Sequence, residues 1–273
     1  MAVVANSRVY INAPTSTLPR YGLFSVATGP LPIPDIHAEG GGLEWQTGLC
    51  ALPYGYAINC EDITPVAKTY LAGPTTVNAD PFVLVSSLEC GSVGMDEATM
   101  RRILTERMNA GAQAAIEDIF SRELFGQQPG LATATGVATL TAATNVANGI
   151  GALESWLYAR YGPAGVIHIP ATYAFQVQSG GGLRWDGRKW LTPLGTSVSF
   201  GNYAGTTPLD AAPAAGHTTF YITGQVTVWQ SPTDQMPSLA EALNRSTNQV
   251  DAIAERVYLL GYDCFVAGVD VTL

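Results

Sequence analysis

The clearest pattern of apolar and polar positions in the chain runs from residue 96 to residue 124. Met100, Ile103, Leu104, Met108, Ala112, Ala115, Ile116, Ile119, Phe120 and Leu124 fall on one face at helical spacing, with no proline among them. Asp96 and Glu97 stand at the start, where a helix favours negative charge, and Gly126 and Pro129 supply the stop. At ~1.5 Å per residue this predicts a rod of about 43 Å, against a mean helix of ~11 residues. Gly111 costs it about 1 kcal/mol relative to alanine. The stripe is one face wide and stops, so it lacks the sustained heptads of a coiled coil.

The pattern differs on either side. Residues 1–36 carry Pro14, Pro19, Pro30, Pro32 and Pro34 around one apolar knot, YGLFSV at 21–26. This predicts an extended arm whose Leu23, Phe24 and Val26 need a partner surface, on the same subunit or on a neighbour; the alternative is a disordered tail. Residues 37–94 set short β-like runs, at 43–47, 66–71 and 81–88, between turn residues. Their few core anchors suit a long projecting hairpin.

Beyond the long helix, an Ala/Thr/Gly-rich stretch leads to a second helix at 145–161, a buried strand at 165–170 and a short helix at 171–177. Strands follow at 189–192, 197–200 and 218–229, the last being one strand bent at Gly224 or two strands. Residues 249–260 and 264–273 close the chain as strands. The class is α+β, with no internal repeat.

Composition narrows the function. Of 273 residues 47% are hydrophobic and only 13% charged, about half of the roughly 25% usual for a soluble domain. With 13 basic residues against 22 acidic, the net charge of −9 has the wrong sign for tight, contact-rich nucleic-acid binding. Lys68 and Lys189 are the two lysines, so few flexible charged stems cover the surface, and arginine suits interfaces better. No apolar run approaches the ~18 residues that span a bilayer, and residues 1–20 lack the basic start and apolar centre of a signal peptide. Cys50, Cys60, Cys90 and Cys264 are too few and scattered for a disulfide framework. They read as small buried hydrophobes in a reducing cytoplasm, with a Cys50–Cys60 contact across a hairpin as the alternative.

Candidate chemistry is sparse. Ser92 has Cys90 where a nucleophile elbow needs glycine, and Lys68-Thr69 lacks the glycines of a phosphate loop. Gly149 and Gly151 open like a dinucleotide turn, but Glu154 occupies the third glycine position, so a helix start is the better reading. His37, His168 and His217 lie far apart without metal-ligand spacing, and His168 reads as a satisfied or surface-facing strand residue. The neighbours Glu117 and Asp118 point in different directions on a helix and read as solvated surface. RWDGRKW at 184–190 interleaves bases with aromatics, as nucleic-acid sites do, yet a turn at Asp186 and Gly187 explains it without a ligand. The sequence therefore implies no catalytic residue, no metal and no cofactor: a protein that is not an enzyme.

The order of arm, long β-loop, very long helix, middle α/β unit and terminal strands resembles the major capsid proteins of tailed bacteriophages, the Hong Kong 97-type fold. RYGLFSV at 20–26 with His37 following, ELFG at 123–126 leading to PGL at 129–131, and VIHIP at 166–170 carry the likeness locally. ERVYLLGYDC at 255–264 with VDVTL at 269–273 is similar to shell proteins of phages that infect actinobacteria. The resemblance implies an N-terminal arm (1–36), an extended loop lying over a neighbour (37–94) and a peripheral domain with a spine helix (95–143). An axial domain (144–224) and a return to the peripheral domain (225–273) complete it.

It also implies self-assembly as pentamers and hexamers into an icosahedral head in the host cytoplasm. Scaffold, portal and decoration proteins are possible partners, and double-stranded DNA is enclosed without sequence-specific contacts; no membrane is involved. Tyr21, Leu23, Phe24 and Trp45 are the candidate inter-subunit contacts. Lys68 is the one loop lysine, and no carboxylate can be assigned to activate it, so crosslinking is not expected. The chain reaches its arm soon after Met1, so a scaffold would be a separate protein or absent. The alternative on the same fold is the shell of a cargo-enclosing, encapsulin-like nanocompartment.

Overall fold

A computed structural model describes residues 20–55, 68, 70–71, 73–91, 96–122, 130–133, 136–180, 182–232, 243–244, 246 and 249–273. In chain order its elements begin α1 (Leu23–Val26), β1 (Thr28–Pro32), α2 (Ala38–Gly41), β2 (Leu43–Thr47), β3 (Thr75–Ala79), β4 (Pro81–Gly91) and α3 (Glu97–Arg122). β5 (Ala138–Ala143), α4 (Val146–Tyr158), β6 (Val166–Pro170), α5 (Ala174–Ser179), β7 (Arg184–Trp185), β8 (Trp190–Leu191) and β9 (Ser197–Gly201) follow. β10 (His217–Thr223), β11 (Val226–Gln230), β12 (Leu243–Asn244), β13 (Gln249–Tyr262) and β14 (Val266–Thr272) complete the chain.

α3 is the long helix expected from the apolar stripe; its 26 residues make about 39 Å of rod. The Asp96 carboxylate caps it by accepting the Thr99 N–H at 2.7 Å, which holds that carboxyl below its ordinary pKa. At the other end the carbonyls of Phe120 and Ser121 accept the N–H groups of Leu131 and Ala132, so the returning chain satisfies helix-terminal acceptors. Met100 and Leu104 pack on Val250, Ala252 and Ala254, while Met108, Ala112, Ile116 and Phe120 join Phe82, Leu84 and Tyr258 in the main core. The expected end at residue 124 lies outside the described residues.

The sheet beneath α3 has five strands. β1, β11, β13 and β12 run side by side, and β4 lies antiparallel to β13 from Gly91↔Gln249 to Pro81↔Leu259. Alternation along β4 and β13 is clean: Phe82, Leu84, Val250, Ala252 and Ala254 face the helix, while Val83, Val85, Asp251, Ile253 and Glu255 face outward.

The second sheet has seven strands in the order β5-β14-β10-β6-β9-β8-β7. β6 is buried at all five positions because both of its faces are covered. Ile167 and Ile169 meet Leu153 and Leu157 of α4 and Val177 of α5, whereas Val166 belongs to the core around α3.

Several expectations need correcting. The apolar knot at 21–26 is not extended but makes the single helical turn α1, and Leu23 is fully buried in the chain's own core. Residues 1–19, the rest of the expected arm, lie outside the described residues. The expected division at residues 143/144 and 224/225 does not follow the sheets: β5 and β14 both pair inside the seven-stranded sheet, β14 through seven residue pairs with β10. Residues 218–229 form two strands in different sheets, because at Gly224 the chain crosses between them and a Cβ would meet the Asp263 carbonyl. Of the loop, β2 and β3 form a two-stranded ribbon. Most of the expected strand at 66–71 is outside the described residues, and Tyr70 and Leu71 belong to no strand.

Candidate assembly surface

Three of the titratable groups singled out in the sequence, His168, Glu154 and Glu117, are used internally, whereas His37 is exposed and His217 pairs with Asp270 part-way to the surface. His168 is 1% exposed; its ring nitrogens meet Tyr203 Oη at 3.1 Å and Thr223 Oγ1 at 3.0 Å, and Phe120 packs edge-on against it. Burial pushes its pKa down to about 3, so it is a neutral, satisfied core residue. Glu154 is buried against the Thr192 hydroxyl, which donates to it. Among the described residues no group of three or more His, Cys, Asp or Glu is placed to hold a metal. No helix among them is long and apolar enough to cross a membrane.

Glu117 corrects the reading of solvated helix surface. It is 2% exposed, and its two carboxylate oxygens accept the N–H groups of Leu23 and Asn202, each at 2.7 Å. One carboxylate of the long helix thus ties α1 and the segment after β9 to α3. Gly22 and Gly201 make this possible, since a Cβ at either would collide with the Glu117 side chain. Burial raises the carboxyl's pKa, against the two N–H groups that hold it down. Asp118, by contrast, is paired with Arg122 at 3.0 Å near the surface, as read.

A second tie sits where the chain crosses between sheets. The Asp263 carboxylate, between β13 and β14, accepts Trp45 Nε1–H and the Tyr161 hydroxyl, each at 3.1 Å. Burial and that carboxylate push the Tyr161 hydroxyl up to about 12. Trp45 also lies 5.6 Å from the Trp229 ring and fills the space over Gly261. Next to Asp263, Cys264 is disulfide-bonded to Cys50, 214 residues away. This overturns the reading of these two cysteines as buried thiols, and with it the Cys50–Cys60 alternative and the cysteine argument for a reducing compartment. Sequence spacing gave no sign of the pair, because the partners meet only through the β2–β3 ribbon folding back on β13.

The candidate inter-subunit contacts therefore separate. Leu23 is consumed by the chain's own core, Phe24 packs half-buried against it, and Trp45 is held inside the chain by Asp263 and Trp229. Phe24 and Trp45 keep part of their surface exposed, and Tyr21 is the most open of the four, 40% exposed, at the edge of an aromatic cluster with Trp185 at 5.2 Å and Trp190 at 6.2 Å. Other large apolar side chains are more open. Phe175 of α5 is 80% exposed, and Tyr158 and Leu194, 73% and 70% exposed, line a common cleft of about 380 Å³ beside α4. Val83, Val85 and Ile253 form an apolar strip on the outer face of β4 and β13.

No protein-family model matches the sequence, and no curated protein does. Among solved structures, the chain is similar to the capsid of an empty GTA particle, with a TM-score of 0.60 at 11% identity over 98% of this chain and 96% of that one. The Gordonia phage Cozz gives 0.52 at 11% identity over 99% and 92%. The Mycobacterium phage Cain gives 0.52 at 13% identity over 96% of each chain. The fold is the Hong Kong 97-type capsid fold, matched over nearly the whole chain.

Proposed function

We propose that the chain is a structural shell subunit, the major capsid protein of a tailed bacteriophage. It is built to self-assemble as pentamers and hexamers into an icosahedral head enclosing double-stranded DNA. The observation that carries the reading is the end-to-end likeness in fold to capsid chains of matching length. The apolar side chains left open on the single chain support it, since a subunit surrounded by copies covers them on assembly. On this reading residues 1–36 are the arm, joined to the sheet through β1, and the β2–β3 ribbon belongs to the loop lying over a neighbour, while β4, paired along β13, stays with the sheet beneath α3. The α3 sheet forms the peripheral domain. The seven-stranded sheet, including β5 and β14, forms the axial domain. Scaffold, portal and decoration proteins are its partners, and the particle assembles in the host cytoplasm. The net charge of −9 suits a shell that holds its DNA loosely.

The test is the assembly state of the purified protein. Negative-stain microscopy and light scattering are expected to show capsomers or closed particles, holding nuclease-protected double-stranded DNA when purified from infected cells. A chain that stays monomeric across salt and scaffold conditions would sink the reading. Particles that hold a cargo enzyme in place of DNA would move it to a nanocompartment.

A further inference from the structure

The distribution of charge on the described surface is uneven. All four arginines on α3 are spent locally, on Glu97, Glu106 and Asp118 one turn away and on the Ser87 carbonyl. A different set gathers at the far edge of the seven-stranded sheet. Arg184, Arg188 and Lys189 lie on the β7–β8 hairpin, and Arg20 is next to Tyr21, whose ring packs on the hairpin. Among the described residues none of the four is within ion-pair distance of a carboxylate, although, after the N–H groups of Lys189 and Arg188, the charges of Lys189 and Arg184 reach Asp186 and help to hold its carboxyl below its ordinary pKa. The one acid of the hairpin, Asp186, spends Oδ1 on the N–H groups of Arg188 and Lys189 at 2.9 and 2.7 Å, shaping the turn. Arg188 and Lys189 also line a cleft of about 340 Å³ with Ser25, Thr28 and Gln225, into which no carboxylate projects. Trp185, 43% exposed, and Tyr21 flank this basic group with open aromatic faces.

The complementary surface lies on the edge of the other sheet. On the outer face of β4 and β13, Glu89 stands directly opposite Asp251, and Glu255 stands opposite Val85. All three acids are exposed, with no ion pair among the described residues; only the Gln249 amide donates to Glu89. Like charges facing each other across strands repel, a cost offset among the described residues only by that one amide hydrogen bond. Val83, Val85 and Ile253 supply the apolar ground between them. One patch is thus basic and aromatic, the composition of an interface anchor, and the other acidic and aliphatic.

We infer that the β7–β8 hairpin of one subunit docks on the outer β4–β13 face of a second copy of this chain. Arg184, Arg188 and Lys189 then face Glu89, Asp251 and Glu255, with Trp185 and Tyr21 on the aliphatic strip. The patches are different surfaces at the edges of different sheets, so the contact is head-to-tail, the kind that closes a ring when the rotation between copies divides a full turn. The inference rests on the shell reading and names two surfaces through which such a shell would close.

Compensating charge reversal tests it. Arg184→Glu with Arg188→Glu is expected to lower the yield of assembled particles at least tenfold. Asp251→Arg with Glu255→Arg should do the same, and the four changes together should restore most of the yield. Arg184→Gln with Arg188→Gln, a milder pair, should lose several-fold, and matching thermal melts check that each variant is folded. Full-yield assembly of the hairpin variants, or a quadruple variant no better than either double, would overturn the contact while leaving the shell reading intact. Hairpin variants that assemble fully but retain less protected DNA would overturn it in favour of a nucleic-acid contact. A chain that never assembles would remove the shell reading and this contact with it.

Discussion

Glu117 shows how one side chain can join two parts of a fold. Its carboxylate accepts the buried Leu23 N–H and the part-buried Asn202 N–H, and leaving a buried donor such as the first unpaired costs roughly 1–3 kcal/mol. Because its folded pKa is raised, the stability that it contributes is full below the ordinary carboxylate pKa and is lost as pH rises through the raised one. Glu117→Gln keeps one acceptor and does not titrate. The variant should melt below the unmodified chain at pH 4, and the gap should narrow as pH rises through the raised pKa; a gap independent of pH would contradict this account. His168 works with the opposite sign. With its folded pKa lowered to about 3, its contribution is present above pH ~6.5 and falls away between there and pH ~3. His168→Gln should flatten the acid limb of the stability profile over that window, by up to about 1.4 kcal/mol per pH unit.

At the scale of elements, the Cys50–Cys264 bridge and Trp45 fix the base of the β2–β3 ribbon to the crossing between the sheets. Closing a loop of 214 residues restricts the unfolded chain by about 5 kcal/mol in the loop-entropy account. A thiol reductant should therefore lower the melting temperature of the unmodified chain by several degrees. Cys50→Ser should start at the lower value and not respond to the reductant. None of this was legible in the sequence, since the partners are more than 200 residues apart and no local period encodes them. By contrast α3, α4 and β6 were legible, because each displays its burial as a period of side chains within its own span. α1 was missed because a single turn is too short for a period to show. Glu117 left a trace that went unread: neither Gln113 nor Ser121, four residues to either side, is a base, whereas Asp118 has Arg122.

For the whole molecule, the low share of charged residues acquires a physical cause if much of the surface is meant to be covered. Among the described residues Leu23, Leu104, Ile116, Leu153 and Ile167 are fully buried, so the open apolar residues lie outside a well-packed core. Phe175 is the sharpest case, at 80% exposure on the short helix α5. A side chain with so few contacts contributes little to the subunit's own fold, and an exposed substitution away from special features shifts stability by ~0.5 kcal/mol or less. Covering a phenyl ring in an interface, however, is worth about 1.5–3 kcal/mol, and an assembled shell repeats the contact in every subunit. Phe175→Ser should therefore leave the melting temperature of dissociated subunits nearly unchanged and raise the protein concentration needed for assembly by about tenfold or more. Differential scanning fluorimetry on subunits, set beside light scattering across a concentration series, separates the two effects. A fall in subunit melting with assembly unaltered would place Phe175 in the fold of the single chain and out of any interface.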